Sequence, residues 1–283
     1  MNAELPNFAR LLREYGIQPK KSLGQNFLFD ANIINQLIDL ADISPAMTVL
    51  EIGAGPGNLT RALADRAGRV VAVELDQRFL PLLEQAGNNH PNLEIIHANI
   101  LDLDLDTLMG AAGYTVVANL PYYITSAVIR KLLETHHRPS RLVLTVQKEV
   151  AHRICARAGE LSLLAVSVQV YGEPHLALTI PAGAFYPSPK VDSAVVLIDT
   201  HPKPLLPAEE LALFFRIVKA GFSQKRKMLR NTISAGMRLK VPDCERLLLS
   251  AGIDPARRPQ TLEPSEWVKL TGEFIRQNSK LDA

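Results

Sequence analysis

The sequence predicts an α/β protein of 283 residues with a small helical C-terminal domain, on three observations. From Thr48 onward, short β-rich runs alternate with amphipathic helical stretches, as βαβ units on a parallel sheet do. A glycine-rich turn, EIGAGPG, ends the first of those runs and opens a helix, the place where such sheets take ligands. Beyond the proline-broken segment HPKPLLP (201–207) every stretch reads helical.

Strands are expected at TVLEI (48–52), VVAVEL (70–75), LEIIHA (93–98), YTVVA (114–118) and RLVLTV (141–146). Between them, QRFLPLLEQA sets Phe79, Leu82 and Leu83 on one helical face, and ITSAVIRKLLET does the same with Val128, Leu132 and Leu133. Ahead of the first strand, Asp30 reads as the N-cap of a helix through ANIINQLIDLADI, with Ile33, Ile34, Leu37 and Leu40 as its apolar stripe. That helix ties the N-terminal segment to the same domain. AFYPSPK leads into a further strand, SAVVLID (193–199), and the domain boundary falls after residue 201. AEELALFFRIVKAGF, QKRKMLRNTIS, CERLLLSAG and PSEWVKLTGEFIRQ are then helices of a domain spanning 202–283, the last with Pro264 and Ser265 as its start signal.

Composition narrows the function classes. A 47% hydrophobic, 21% charged chain has the apolar supply of a globular protein. Its net charge of +2 hides an asymmetry: residues 201–283 hold 15 Lys+Arg against 9 Asp+Glu, whereas residues 1–200 hold 16 against 20. A compact basic segment suits a polyanion, although a solvated face is the commoner cause of a single charge run. Cys155 and Cys244 stand alone, so neither a disulfide framework nor a zinc site is signalled, and seven scattered histidines lack HExxH spacing. No metal is expected. The N-terminus MNAELPNFARLLREYG lacks the apolar core of a leader, and no long uncharged apolar run occurs. A cytoplasmic protein without membrane attachment is the expectation.

The glycine turn points to a nucleoside cofactor. Gly53, Gly55 and Gly57 let the backbone turn sharply and lie against a ligand, and Glu74 ends the next strand about twenty residues on, where a carboxylate can accept from ribose hydroxyls. A dinucleotide fingerprint needs G-x-G-x-x-G, but Asn58 holds the third position. The GxGxG spacing resembles instead the first motif of S-adenosylmethionine-dependent methyltransferases.

Asn119, Leu120, Pro121 and Tyr122 form NLPY directly after the fourth strand, at the carboxyl edge of the sheet. Taken alone this tetrapeptide reads equally as a strand-ending turn with Asn119 as a cap; beside the glycine loop it reads as chemistry. The exocyclic nitrogen of adenine is a poor nucleophile because its lone pair is delocalised into the ring. An Asn119 side-chain oxygen and the Leu120 carbonyl accepting its two N–H bonds would hold the amino group and favour tetrahedral character as positive charge develops. Tyr122 offers a π face to a base drawn out of its stack, Pro121 fixes the backbone between acceptor and platform, and Phe185 is the candidate for the opposite face.

KSLGQNFL (21–28), EIGAGPG, NLPY, FYPSPKVDSAV and GFSQKRKMLRN occur in order over roughly residues 20–262, and together they resemble the bacterial small-subunit ribosomal RNA adenine-N6 dimethyltransferase family. The resemblance implies a Rossmann-like methyltransferase domain over 1–201, S-adenosylmethionine as methyl donor, and transfer of two methyls per base, on two adjacent adenines, during ribosome biogenesis. It implies cofactor contacts at Asn26, Leu28, Gly53, Gly55, Glu74, Asn99 and Asn119, with Asn119 at the junction with the target adenine and Tyr122 and Phe185 as the flanking aromatics. Asn99 departs from the family's usual aspartate; an amide still accepts from an amino group, without the charge assistance of a carboxylate. The C-terminal domain is expected to dock on small-subunit RNA through Lys225, Arg226, Lys227 and Arg230, most of them on one helical face by their spacing. The protein is expected to act as a monomer on an assembling subunit.

Three other readings stand beside this one. The large-subunit ribosomal RNA methyltransferases of macrolide resistance resemble it in fold, donor and NLPY-like chemistry, but the tail motifs GFSQKRKMLRN and GIDPARRPQTL resemble the small-subunit family. DNA adenine methylation would need a target-recognition region that is not evident. A ribosome assembly factor without turnover would keep the basic domain, yet the intact glycine loop and NLPY argue against lost catalysis.

Overall fold

The computed structural model describes residues 8–111 and 113–279. MNAELPN, the start of the segment read above for a leader, lies outside the described residues. The chain divides into two compact units, one holding residues up to Ala151 together with His175–Thr200, the other His152–Pro174 together with the chain from His201 onward.

The first unit opens with α1 (Phe8–Glu14), a 3-10 turn at Lys21–Leu23, the two-residue strand β1 (Phe27–Leu28) and α2 (Ala31–Ala41). Asp30 caps α2 as its sequence suggests, its carboxylate accepting from the amides of Asn32 (2.9 Å) and Ile33 (3.2 Å). The buried face of α2 is Ile34, Leu37, Ile38 and Ala41, with Ile33 and Leu40 at its margins, so the apolar stripe lies slightly rotated from the expected one. There follow β2 (Thr48–Ile52), α3 (Asn58–Ala64), β3 (Arg69–Glu74), α4 (Leu80–Gly87), β4 (Leu93–His97), α5 (Leu105–Met109), β5 (Thr115–Asn119), α6 (Thr125–Glu134), β6 (Arg141–Gln147) and α7 (Lys148–Ile154). After α8 (Leu163–Gln169) come β7 (Gly172–Ile180), β8 (Phe185–Tyr186) and β9 (Ser193–Thr200). All six expected strands form within one residue of their predicted ends.

Seven strands make one sheet in the order β4-β3-β2-β5-β6-β9-β7. The five strands from β4 to β6 run parallel, and β9 pairs antiparallel with β6, Leu142 opposite Ile198. Val49, Leu50, Val70, Val71, Val116, Val117, Leu142 and Val143 are fully buried, as a parallel sheet covered on both faces requires. Phe79, Leu82 and Leu83 are buried, as are Val128, Leu132 and Leu133, so both predicted helical faces do cover apolar surface. The chain order reverses between β2 and β5, and the crevice at their carboxyl ends is the switch point where a parallel sheet receives its ligand. β7 was not expected: it closes the sheet's far edge, is exposed along most of its length and carries Pro174, a residue tolerated in an edge strand. β1 and β8 form a separate antiparallel pair, Leu28 opposite Phe185.

The second unit holds α8, α9 (Ala208–Gly221), α10 (Leu229–Met237), α11 (Val241–Ser250) and α12 (Pro264–Ser279). A single cut after residue 201 differs from this division, because residues 152–174 join the C-terminal helices. The amides of Gly159 and Leu161 donate to the Gln260 carbonyl (2.8 and 3.3 Å), His201 N–H donates to the Tyr171 carbonyl (2.8 Å), and the Tyr171 ring stacks on Phe215 at 6.2 Å. The core centres on the fully buried Trp267; a side chain at Gly221 would collide with its ring, and one at Gly236 with Ala220, so glycine lets these helices approach closely.

One expected helix is shorter than its sequence suggests. QKRKMLRNTIS does not run helical throughout: Gln224–Lys227 form turns, Met228 is extended, and α10 begins at Leu229. Lys225, Arg226 and Lys227 therefore stand on an exposed loop rather than on a helical face with Arg230. The local cause is visible in the backbone, where Lys227 N–H closes a turn onto the Gln224 carbonyl (3.1 Å) and Leu229 N–H is taken by the Arg257 carbonyl (2.8 Å). Arg230 does lie in α10, paired with Glu245 at 2.9 Å.

Candidate active site

At the carboxyl ends of β2, β3, β4 and β5 lies a cavity of the first unit, lined by Asn26, Gly53, Glu74, Asn99, Asn119 and Tyr122 among others. Each side chain arrives there by an identifiable backbone device.

Gly53 and Gly55 hold positive φ of 76° and 54°, a conformation costly for side chains other than glycine, and Gly57 at 85° caps α3. Gly53 N–H donates to the Val73 carbonyl (2.9 Å), pinning the turn to the neighbouring strand. Gly55 stands behind the cavity: a Cβ there would meet the Phe27 ring at 3.0 Å, and its N–H donates to Glu74 Oε2 (2.7 Å). Asn58, which breaks the dinucleotide fingerprint, opens α3 and donates to the Leu28 carbonyl (3.3 Å).

Glu74 ends β3 and is buried, its other oxygen accepting from Asp76 N–H (2.7 Å). Burial pushes its carboxyl up, against the backbone N–H groups of Asp76, Gly55 and Leu75 that favour the charged form. Each oxygen retains acceptor capacity beyond its one backbone bond. Glu51, on β2, is buried more deeply still, and burial pushes its carboxyl up to about 8. Its Oε2 has no partner among the described residues, although the Thr60 hydroxyl lies near enough to oppose the shift.

The KSLGQNFL segment is held in place from below. Gln25 accepts from Lys20 N–H (2.7 Å) and donates to Asp76 (2.9 Å), and Asp76 also receives the Arg78 guanidinium, which keeps its carboxyl well below the usual range. Asn26 donates to the Gly24 carbonyl (3.2 Å) and offers its own carbonyl to Asn119 Nδ2 (2.8 Å). Phe27 packs edge-on against Phe79, centroids 5.1 Å apart, and lines the cavity. Gln25, Asp76 and Phe27 were not singled out in the sequence; Gln25 and Phe27 lie inside the GQNFL motif, and Asp76 follows Glu74 by two residues.

Asn119 closes β5 with its amide nitrogen bonded to Asn26, leaving Oδ1 as the acceptor end of the side chain. Leu120 has a buried side chain and an N–H donating to the Thr145 carbonyl (3.1 Å), so the turn of NLPY is anchored to β6. The Tyr122 hydroxyl bonds to the buried Ser193 hydroxyl of β9 (2.8 Å), and burial pushes its phenol up, keeping it neutral. Asn99 accepts from Leu101 N–H (3.1 Å) and donates to Asp102 (2.9 Å), an Asx turn that holds the amide at the cavity wall.

Besides Gly55, two more expected residues stand outside the cavity lining. Leu28 does not line the cavity; it is 6% exposed in the core with Phe185 opposite it, because alternation along β1 turns Phe27 one way and Leu28 the other. Phe185 is 2% exposed in the same core, packed with Leu28 and Ile34 of the α2 layer, so in this conformation its ring is closed to a base. Among the described residues no cluster of three or more His, Cys, Asp or Glu could hold a metal ion, and no helix is long and apolar enough to cross a membrane.

A parallel sheet with a glycine turn after one strand, an acid ending the next and an acceptor-rich cavity at its switch point defines a nucleoside-binding enzyme of the methyltransferase type. Comparison with known proteins narrows the class. Residues 16–274 match the ribosomal RNA adenine dimethylase family. A relative from Dehalococcoides mccartyi (strain CBDB1), the ribosomal RNA small subunit methyltransferase A, is 43% identical over 265 residues, covering 93% of this chain and 91% of its own. Among solved structures, the 23S rRNA methyltransferase ErmE aligns with a TM-score of 0.72 at 28% identity, over 88% of this chain and all of its own. A dimethyladenosine transferase from Plasmodium falciparum shares the fold, with a TM-score of 0.78 at 24% identity over 89% of this chain and 98% of its own. The chain belongs to the ribosomal RNA adenine dimethylase family.

Proposed function

We propose that this chain transfers methyl groups from S-adenosylmethionine to N6 of adenine in small-subunit ribosomal RNA, two per base and on two adjacent adenines, during ribosome biogenesis in the cytoplasm. The observation that carries the reading is the Asn119 amide, tethered through its nitrogen to Asn26 at 2.8 Å so that its oxygen is the acceptor in a cavity shared with Gly53 and Glu74. Family membership and 43% identity to a small-subunit enzyme, against 28% to a 23S enzyme, favour the small-subunit substrate.

The cavity suits a cationic nucleoside. Its polar side chains are the carboxyl of Glu74, the amides of Gln25, Asn26, Asn99 and Asn119 and the phenols of Tyr122 and Tyr123, with no Lys or Arg among them. Glu74 is the acceptor for ribose hydroxyls, Gly53 allows close backbone approach, and Asn26 and Asn99 belong to the same wall. Gly55 acts through Glu74, as the donor that holds it. When bound, S-adenosylmethionine supplies an electrophilic methyl with an excellent leaving group.

The protein's part is positioning. Asn119 Oδ1 and the Leu120 carbonyl accept the two N–H bonds of the adenine amino group, drawing its lone pair out of conjugation and toward the donor. These neutral acceptors stabilise positive charge on nitrogen without a strong base. The neutral Tyr122, fixed by Ser193, is the platform for the base. Once one methyl is added only one N–H remains, so the second transfer uses a rotated amino group held by a single acceptor and is the slower step. Lys225, Arg226 and Lys227 contact phosphates of the subunit RNA, and the protein acts as a monomer.

Small-subunit particles incubated with the protein and S-adenosylmethionine, then digested and mass-mapped, test this reading. Dimethyladenine at a pair of neighbouring positions is expected. Monomethyladenine alone after exhaustive reaction, or methylation confined to large-subunit RNA, would reject it.

A further inference from the structure

Next to NLPY stands an aromatic ring that the chemistry above does not use. Tyr123 lines the same cavity and is 61% exposed, more than any other Phe, Tyr or Trp among the described residues. Single exposed apolar residues are ordinary on a protein surface, so exposure alone carries no weight. Its support does. Gly24 lies against the ring in left-handed backbone conformation, φ 61°, and a Cβ there would stand 3.3 Å from Tyr123 Cδ1, 3.4 Å from Cε1 and 3.5 Å from Pro121 Cβ. The Tyr123 ring therefore has the bare backbone of Gly24 against one side while most of its surface faces solvent.

The loop beneath it adds charge. Gly24 N–H donates to the Lys21 carbonyl (3.1 Å), so Lys21 is one tight turn from the tyrosine contact, and its side chain is exposed. Lys20, also exposed, has Nζ 3.8 Å from Asp76. An aromatic face with a lysine at its border is how proteins hold single-stranded nucleic acid, the ring taking a base and the ammonium a phosphate. Neighbouring positions in the chain give the two tyrosines separate tasks. Tyr122 is tied down by its bond to Ser193, beside the Asn119 acceptor, whereas Tyr123 is at the rim.

We propose that Tyr123 is a stacking platform for the base adjacent to the target adenine. The inference rests on adenine in RNA being the substrate and adds a second nucleotide subsite to that reading. Drawing the target adenine out of its stack leaves its neighbour with one uncovered face, and the Tyr123 ring covers it. Recognition by stacking tolerates any base at that position and demands only that one be present.

Methylation of small-subunit particles by the wild-type protein is measured first, and its absence would sink the substrate assignment rather than this subsite. Binding of adenosine-centred RNA trinucleotides to the full chain is then measured by calorimetry, with both flanking bases present or with one flank abasic. Removing the base on one side should weaken wild-type binding about fivefold or more, and removing the other should matter less. Tyr123→Ala should abolish that difference, lowering the affinity of the intact trinucleotide to that of the abasic one, while Tyr123→Phe should preserve it. If the wild type methylates particles yet binds intact and abasic trinucleotides alike, undetectable binding of both included, the proposal is overturned. It is overturned equally if Tyr123→Ala retains the preference for a flanking base.

Discussion

The wall of the cavity and the basic run of the second unit make their proposed contacts by opposite means. In the first unit Glu74 and Asn119 sit at the ends of buried parallel strands, with each side chain bonded to backbone or held by a bonded neighbour before any ligand is considered. In the second unit Lys225, Arg226 and Lys227 stand on an exposed turn with freedom to adapt. Catalysis profits from acceptors that need no reorganisation as charge develops, whereas attraction to a phosphate backbone depends on charge and proximity more than on angle. A substitution in the first region should therefore change rate with little effect on docking, and one in the second should do the reverse.

The sharpest test of that contrast is Asn119→Ala. It removes the Oδ1 acceptor and also the tether to Asn26 (2.8 Å), so methyl transfer in single turnover should slow by about a hundredfold or more, the scale of losing one preorganised transition-state partner. Affinity for small-subunit particles should stay within about twofold, a difference near the few tenths of a kcal/mol typical of an uncoupled site. A variant that loses particle binding in proportion to rate would show that the two regions are not separable.

How much of this was readable in the sequence follows the same divide. Parallel strands must bury both faces, so TVLEI, the valine-rich run at 70–73 and YTVVA announce themselves, and the residues at their carboxyl ends are placed by topology alone. Glu74 and Asn119 were legible for that reason. The roles of Leu28 and Phe185 came through resemblance to a family, and resemblance does not report which way a short strand turns its side chains. Pairing of β1 with β8 puts both in the core and brings Phe27 to the cavity instead. Nor does helical periodicity tell a helix from a loop when the apolar residues are few: in QKRKML the only candidates are Met228 and Leu229, and long-range bonds to Pro255 and Arg257 decide where α10 begins. β7 and the inclusion of residues 152–174 in the second unit were invisible for a related cause, since both depend on partners distant in sequence.

A second prediction concerns what burial costs the first region. Glu51 is protonated in the folded protein up to about pH 8, whereas in the unfolded chain it ionises near its ordinary value of 4.5. Between those values the folded state binds the extra proton, so stability falls as pH rises, by at most about 1.4 kcal/mol per pH unit for one group, and the loss levels off above about pH 8. Burial shifts Glu74 in the same direction. Urea unfolding of Glu51→Gln at pH 5, 6.5 and 8 should show a shallower decline than the wild type, because one group that binds a proton on folding is gone. Parallel curves for the two proteins would mean that Glu51 is charged in the fold.

The smallest effects belong to the basic run, and there the contrast divides again within six residues. Lys225, Arg226 and Lys227 are exposed, but Arg230 is half-buried and bonded to Glu245 at 2.9 Å. Neutralising the three loop residues to glutamine should flatten the dependence of particle affinity on salt by about two units of log–log slope, at ~0.7 per phosphate contact for single-stranded RNA. Between 50 and 200 mM salt that is roughly a twentyfold change in the affinity ratio. Arg230→Gln should alter the slope by less than about 0.3, because its charge is already shared with the Glu245 carboxylate. Its consequence should appear in stability instead, a loss of no more than about 1 kcal/mol for a partly exposed pair. Filter binding across salt concentrations and denaturant unfolding measure the two quantities independently. If Arg230→Gln flattened the slope as much as one loop residue does, the ion pair with Glu245 would have to open on RNA, and the docking surface would extend from the turn onto α10.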